Sequence, residues 1–325
     1  SPVIPTEFLF DSDRVMDSTG ALELSDVPPR LLIVGGGYIG LELATVYAAF
    51  GSRITIVEMT DDLLPGADRD LVIPVKKRMA GLAEAIWLGT TVARMESADE
   101  GVKVTLEGEA AGNSDQVFDR VLVSVGRRPN SKIEGLDKTQ VQLDTRGFVQ
   151  VDGQRRTAEP SIFAIGDLVG EPMLAHKASH EGRLAVEVIR GSESLFEPLA
   201  IPAVVFTDPE IAWCGLTETQ AKTESRAVKV AKFPWGASGR AVTLDRIDGM
   251  TKLIVECESE KVIGVGMVGA GAGELIAEGV LAIQMGATAS DMKTTIHPHP
   301  TLSETVMESA EVFFAQSTHY RGKAR

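Results

Sequence analysis

The stretch that decides the fold is Leu31-Leu32-Ile33-Val34-Gly35-Gly36-Gly37-Tyr38-Ile39-Gly40. Its first four residues form an unbroken apolar run without alternation, which predicts a parallel strand covered on both faces. Gly35, Gly37 and Gly40 then fall at the G-x-G-x-x-G spacing. Gly35 serves the turn, Gly37 the close approach of a pyrophosphate to the backbone, and Gly40 the packing of a helix on the strand. The helix expected from Tyr38 to about Phe50 points its first amides, with Tyr38 and Ile39 in the first turn, and its positive dipole end at the phosphates. Gly51 closes it.

A second apolar run, Ile54 to Val57, ends in Glu58, where a carboxylate can accept hydrogen bonds from the adenosine ribose hydroxyls. A glycine-rich turn alone is weak evidence, but strand, motif, helix, strand and terminal acid in this order are strong. Residues 31 to 58 are therefore expected to bind a nicotinamide dinucleotide. The 2′-phosphate of NADP(H) would meet Glu58, Asp61 and Asp62 with no Arg or Lys between them. One like charge at ~5 Å costs roughly 3 kcal/mol at an effective dielectric near 20, so NAD(H) is the expected choice.

Outward from this unit, a helix is expected over 68 to 83, with alternating segments at 91 to 94 and 102 to 106. A strand from Arg120 to Val125 follows. It ends in Gly126-Arg127-Arg128-Pro129-Asn130, a turn expected to leave a sheet edge and stop the lobe. Ser161 to Ile165 is another apolar run, expected to be a strand, and it ends in Gly166 and Asp167 before a helix beginning near Leu174. Such a strand end can face a cofactor: the glycine allows close approach and Asp167 can hold sugar-like hydroxyls. The helix N-terminus can also stabilise negative charge on a flavin edge. An ordinary turn capped by Asp167 is the alternative. From about Ile201, β-like runs (203 to 206, 253 to 257, 262 to 268) alternate with helices near Thr217 and Glu274, an α+β lobe.

The chain has 325 residues and a formal charge of −14. The length suffices for more than one core, and the charge repels phosphate backbones and anionic lipid, which argues against nucleic acid as a partner. No apolar run is long enough to cross a membrane, and the opening residues lack a secretory signal pattern. Ser1 is not an initiator Met, so a processed or excised start is expected. The two cysteines, Cys214 and Cys257, each lie in an apolar strand-like run and are expected to be buried thiols. That sparse usage fits a reducing compartment, hence the cytoplasm.

Residues 297 to 304 read His-Pro-His-Pro-Thr-Leu-Ser-Glu before an apolar helix. In one reading Thr301 is an N-cap and Glu304 its capping-box partner. In the other, His299 is a general base and Glu304 orients its ring. Spacing alone favours capping, though one carboxylate can serve both ends. His297 is expected to be structural, and His176, His180 and His319 surface or packing residues.

Taken together, AIGDLVGEPMLAHKASHEG, GGGYIGLE, VGRRPN, IPAVVFTDPEIAWCGLTE, FPWGASGRA and HPHPTLSE resemble the dihydrolipoamide dehydrogenases within the pyridine nucleotide–disulfide oxidoreductases, along nearly the whole chain. The resemblance implies a Rossmann-like NAD domain inserted into an FAD domain, followed by an α+β dimerisation domain. Residues 1–28 would be a remnant of the FAD domain, 29–149 the NAD domain, 150–198 the return of the FAD domain and 199–325 the dimerisation domain. Asp167 would bind the ribitol region of FAD, and Met173, Leu174 and Ala175 would meet the flavin. Glu42 would lie near nicotinamide and flavin, and Gly126 on the NAD side of the cleft. His299 and Glu304 would act over the disulfide of the opposite subunit in a homodimer, reversing the preference for capping. The implied reaction is oxidation of dihydrolipoamide by NAD⁺, with the lipoyl domain of the E2 component of a 2-oxo acid dehydrogenase complex as partner. The chain departs from the pattern in lacking an N-terminal glycine fingerprint and a Cys-x-x-x-x-Cys. It is therefore expected to be a fragment that binds NAD(H) and dimerises. A soluble pyridine nucleotide transhydrogenase and a non-catalytic NAD-binding assembly module are the alternatives.

Overall fold

A computed structural model describes residues 1–8, 12–109, 111–112 and 114–321. The chain divides into two compact units, residues 4–125 with 202–325, and residues 1–3 with 126–201.

The first part of the larger unit contains β1 (Val15–Met16), α1 (Ser18–Leu22), β2 (Arg30–Val34), α2 (Tyr38–Ala49), β3 (Arg53–Val57), α3 (Arg69–Leu82), β4 (Ala85–Trp87), β5 (Thr91–Ala98), β6 (Gly101–Glu107), β7 (Asp115–Phe118) and β8 (Arg120–Val123). A parallel sheet has the order β1-β8-β2-β3-β4. Side chains of β2 alternate between two cores, as a pleated strand dictates. Leu31 and Ile33 join Leu41 and Ala44 of α2 and Val75 and Met79 of α3. Leu32 and Val34 join Val102, Val104, Leu106 and Phe118 of the antiparallel sheet β5-β6-β7. Both faces are covered, so every residue from 31 to 34 must be apolar.

One expectation is corrected here. β8 does not lie at an edge, because the two-residue β1, too short to be legible as a strand, pairs outside it. Residues 4–28 group with the dinucleotide sheet and only 1–3 with 126–201. The Tyr47 hydroxyl donates to the Ala21 carbonyl at 2.8 Å, holding α1 against α2.

The smaller unit has one long helix, α4 (Ala175–Ile189), and 3₁₀ turns at Leu136–Lys138 and Gly166–Leu168. The strand expected over 161 to 165 does not form: among the described residues this segment has only an isolated bridge, Arg156 with Phe163. An apolar run becomes a strand only beside a partner; here the Ala164 N–H donates to the Arg155 carbonyl and the Ile162 carbonyl accepts the Thr157 N–H, while buried charges hold the turn that follows. Glu181 of α4 is fully buried; its carboxylate accepts the Gly166 N–H at 2.6 Å and lies 3.3 Å from both Arg155 Nη1 and Lys177 Nζ.

The chain then returns to the larger unit through β9 (Ala203–Val205), β10 (Glu210–Gly215), α5 (Glu218–Thr223), β11 (Val228–Pro234), α6 (Gly239–Thr243), β12 (Met250–Glu256), β13 (Val262–Gly269), α7 (Ala272–Met285), α8 (Ala289–Thr294) and α9 (Glu304–Phe313). The strands form an antiparallel sheet, β11-β12-β13-β10-β9, with α7 against β10 and β13 and α9 against β11 and β12. One core runs on from Leu71, Val72 and Val75 to Val205, Ile211 and Val268, which explains why this lobe and the dinucleotide lobe are one compact unit.

A buried ionic tie reinforces the join. The Lys252 ammonium, 1% exposed, lies 2.6 Å from Asp68, 2.8 Å from Asp70 and 2.9 Å from Glu218. Asp68 also accepts the backbone N–H groups of Glu218 and Thr219 at the start of α5. Burial pushes the Asp68 and Asp70 carboxyls up, but Lys252, with Lys232 beside Asp70, outweighs it and holds both below the ordinary aspartate value.

Candidate functional site

The glycine turn joins β2 to α2 at the point where β8 lies on the other side of β2, a reversal of strand order at which open α/β sheets bind ligands. Gly35 has φ +110°, and its N–H donates to the Val57 carbonyl at 2.8 Å. A Cβ on Gly35 would lie 2.6 Å from the Ser124 carbonyl oxygen, and one on Gly40 would lie 2.2 Å from the Gly35 oxygen. One on Gly36 would lie 2.7 Å from Leu63 Cδ2. Gly37 differs: a Cβ there would meet nothing within 4 Å. Packing thus explains three glycines and leaves Gly37 with an open face at the N-cap of α2, where no side chain caps the helix. Tyr38 is exposed and Ile39 half-buried beside it.

Glu58 follows the last residue of β3, but it is buried and already engaged. Its Oε2 accepts the Gly36 N–H at 2.7 Å, and its Oε1 accepts the Thr60 N–H and hydroxyl, each at 2.8 Å. A carboxylate offers about four acceptor positions, so about one remains for a ribose hydroxyl. The same carboxylate clamps the glycine turn, a role that spacing did not reveal. The charge argument also needs correction: Asp62 is paired with Arg69 at 3.2 Å and Lys76 at 2.9 Å, both from α3. The repulsion of a 2′-phosphate rests on Glu58 and the exposed Asp61. An open cavity of about 530 Å³, lined by Asp61, Leu88, Gly89 and Glu109, adjoins this corner. Glu42, one helical turn into α2, accepts the Phe206 N–H at 2.8 Å, and burial raises its carboxyl above the ordinary glutamate value despite that bond.

In the smaller unit, Gly126 has φ +148° and accepts the Val3 N–H at 3.0 Å. Asp167 lies in the 3₁₀ turn after Gly166, whose φ is +71°. Its carboxylate is 3.5 Å from Arg127 Nη2. Met173 and Leu174 are half-buried and Ala175 exposed at the start of α4, which no side chain caps. Glu181, Lys177 and Arg155, unrecognised in the sequence, hold this turn in place.

In the 297–304 loop, His299 Nδ1 lies 2.9 Å from Glu304 Oε1, and Glu304 Oε2 accepts the Thr301 N–H at 2.8 Å. One carboxylate therefore holds the ring and half of a capping box. The Thr301 hydroxyl donates instead to the Pro298 carbonyl, and Ser303 occupies the N-cap position of α9. Burial works to raise the Glu304 carboxyl, but the bonds from Thr301 and His299 outweigh it and hold it below the ordinary value. The His299 ring is 72% exposed, accessible to a partner. Beneath the loop runs a buried chain: Trp235 Nε1 donates to Thr251 Oγ1 at 2.9 Å, and the Thr251 and Thr305 hydroxyls are 2.8 Å apart. A Cβ on Gly249 or Gly269 would strike the Trp235 ring, so the FPWG segment fixes the residue next to Glu304. His297 is 2.6 Å from Glu278, whose hydrogen bond raises the imidazole above its ordinary value.

The cysteines divide. Cys214 is buried and its thiol is pushed up to about 12 by desolvation. Cys257 is exposed, contrary to expectation, because β12 ends at Glu256 and leaves it in the following turn. Both are free.

Comparison with known proteins gives the same architecture. The pattern of pyridine nucleotide-disulphide oxidoreductases matches residues 2–182, and that of the dimerisation domain of these enzymes matches residues 201–310. The chain is 50% identical to the dihydrolipoyl dehydrogenase of Vibrio cholerae over 96% of its own length, spanning 65% of that protein. It is 46% identical to that of Geobacillus stearothermophilus over 98% of its own length and 67% of that protein. Among solved structures, LpdA of Mycobacterium tuberculosis superposes with a TM-score of 0.87 at 28% identity, over 96% of this chain and 68% of the other. The flavoprotein disulfide reductase RclA of Escherichia coli gives 0.85 at 27%, over 94% and 70%. On these matches and this fold, the chain belongs to the pyridine nucleotide-disulphide oxidoreductase family.

Proposed function

We propose that this chain provides the NAD(H)-binding and proton-accepting parts of a dihydrolipoamide:NAD⁺ oxidoreductase acting as a homodimer. The carrying observation is the uncovered face of Gly37 between glycines that packing requires. A glycine that the protein's own atoms do not need is what close approach of a diphosphate would demand. In this reading Gly35, Gly37, Tyr38, Ile39 and Gly40 cradle the diphosphate, and the remaining acceptor position of Glu58 takes a ribose hydroxyl. The adenosine end lies toward the cavity beside Asp61 and Leu88. NAD⁺, when bound, supplies the hydride acceptor. Glu42 and Gly126 are assigned to the nicotinamide side, and Asp167, Met173, Leu174 and Ala175 to FAD. The uncapped start of α4 and the left-handed Gly166 beside it suit an anionic ring edge and close approach.

The exposed His299 ring takes the proton of a dithiol substrate, with Glu304 fixing its orientation. The substrate is a dihydrolipoyl group carried by the E2 component of a 2-oxo acid dehydrogenase complex. A second reading, a non-catalytic NAD-binding assembly module, is favoured by the cysteines. The two are free, and Cys214 is buried with a thiol unsuited to exchange.

Calorimetric titration of the purified chain with NADH and NADPH tests the nucleotide assignment. NADH is expected to bind at least about tenfold tighter, a difference of about 1.4 kcal/mol. Equal affinities would overturn the assignment and favour a transhydrogenase. A visible flavin absorbance with lipoamide turnover supports the enzyme reading; NADH binding without either supports the assembly module.

A further inference from the structure

The segment between β3 and α3 leans on the glycine turn. Leu63, fully buried, has its Cδ2 2.7 Å from where a Cβ of Gly36 would stand. The buried Leu64 is bonded to the same residue: its N–H donates to the Gly36 carbonyl at 2.9 Å. Leu64 does this from φ +51°, the left-handed region that a bulky L side chain rarely adopts. Such a backbone persists only where its surroundings over-determine it. Here the holding group is Arg69, the first residue of α3, whose side chain turns back over the segment. Its Nη1 donates to the Leu63 carbonyl at 2.8 Å and its Nη2 to those of Leu64 at 2.6 Å and Ala67 at 2.5 Å, while Nε reaches Ala67 at 3.2 Å. A planar fork of five donors can bridge three carbonyls in this way; a lysine ammonium has neither the reach nor the geometry.

The bond from Leu64 fixes one peptide plane. The Gly36–Gly37 peptide is trans, since the cis bonds of the described residues all precede proline. With its carbonyl drawn to Leu64, the Gly37 N–H must point the other way. Among the described residues that N–H has no partner, and a Cβ on Gly37 would meet nothing within 4 Å. We propose that Arg69 is a positioning residue for the dinucleotide: it locks Leu64 in its strained conformation, and Leu64 in turn aims the Gly37 N–H at the diphosphate. The proposal rests on the assignment of the glycine turn to NAD(H), but the bracing can be measured without nucleotide. Charge alone is the competing account, and Lys76 separates the two. It is a second cation on the same carboxylate, 2.9 Å from Asp62 where Arg69 is 3.2 Å away, and among the described contacts it donates to Asp62 and to no carbonyl of the segment.

The test is amide hydrogen exchange by NMR, with calorimetric titration of NADH, on the 325-residue chain and its variants. Arg69→Gln is expected to speed exchange of the Leu64 amide by about tenfold or more while the Leu32 and Ile33 amides of β2 stay protected. NADH affinity is expected to fall by about tenfold. Lys76→Gln removes an equal charge and is expected to change neither. Arg69→Ala is expected to recover part of both losses in guanidinium chloride well below denaturing concentration, because the added ion can refill the fork. Unchanged Leu64 exchange in Arg69→Gln, or faster exchange with unaltered NADH affinity, would overturn the proposal. So would an equal loss of affinity in Lys76→Gln, or accelerated exchange throughout β2 without rescue by guanidinium, which would mean general loosening of the lobe. Failure of the wild-type chain to bind NADH would sink the nucleotide assignment, and the Leu64 amide would still judge the brace.

Discussion

Two glycine turns in this molecule share a buried carboxylate clamp and differ in what surrounds it. The turn at Gly35–Gly40 is set by a sheet: β2 lies between β3 and β8, the backbone of Val57 holds Gly35, and neighbouring atoms leave no room for side chains at three of its positions. The turn at Gly166–Asp167 has no sheet beside it. It is held by the fully buried Glu181, which accepts the Gly166 N–H and lies between Arg155 and Lys177. A buried carboxylate clamps a glycine amide in each, Glu58 on Gly36 and Glu181 on Gly166; close packing at three glycines is added in the first turn, and two cations around the carboxylate in the second. A turn fixed by shape should fail when atoms are added, and one fixed by charge when a charge is removed.

The largest expected effect falls on the second turn. Glu181→Ala leaves two cations without their buried partner and should destabilise the smaller unit by about 3–5 kcal/mol. Hydrogen exchange at the Gly166 amide is the readout, and unchanged protection would mean that the charges are incidental. Next comes Gly40→Ala, whose new Cβ would lie 2.2 Å from a backbone oxygen. The expected loss is about 1–3 kcal/mol, measured by thermal unfolding of the larger unit.

The ionic tie at Lys252 sharpens the contrast through pH. Asp68 and Asp70 have depressed folded values, so the unfolded chain binds protons first as pH falls. Their stabilisation is present above the unfolded aspartate value near about 4 and is lost as pH drops through the depressed values. Denaturant midpoints should therefore fall on acidification across that window. For His297 the sign is reversed: its raised value stabilises fully below the unfolded imidazole value, near about 6.5, and the contribution disappears as pH rises through the folded value. Glu278→Gln should abolish that alkaline limb and leave the acidic one intact. The smallest expected effect on stability is at Gly37. Gly37→Ala should change it by less than about 0.5 kcal/mol, because nothing lies within 4 Å of the added carbon, yet it should weaken NADH binding by about tenfold or more.

The parts legible in the sequence are those where the backbone itself makes the demand. The apolar run 31–34, the glycine spacing and the acid after Val57 are local, and the structure forms them as a strand, turn, helix and strand. Whatever depends on a distant partner was not legible. Asp62 read as a free charge because Arg69 and Lys76 lie on the next helix. Residues 161–165 read as a strand because an apolar run does not announce whether another strand lies beside it. Glu181 and Lys177 carry no sequence signal that separates them from the solvated charges usual on a helix, yet both are buried. In the 297–304 loop, spacing set capping against ring orientation as rivals, whereas the two oxygens of Glu304 serve both at once. The link from Trp235 through Thr251 to Thr305 was invisible because it joins three separate elements.

The central claim is that the open face of the glycine turn receives a nicotinamide dinucleotide. Amide NMR of the isotopically labelled chain during NADH titration tests it most directly. The account predicts saturable shifts at the Gly37, Tyr38 and Ile39 amides, with the Gly166 amide less affected. Silence at the glycine turn while NADH perturbs another part of the chain, or perturbs none of it, would contradict it.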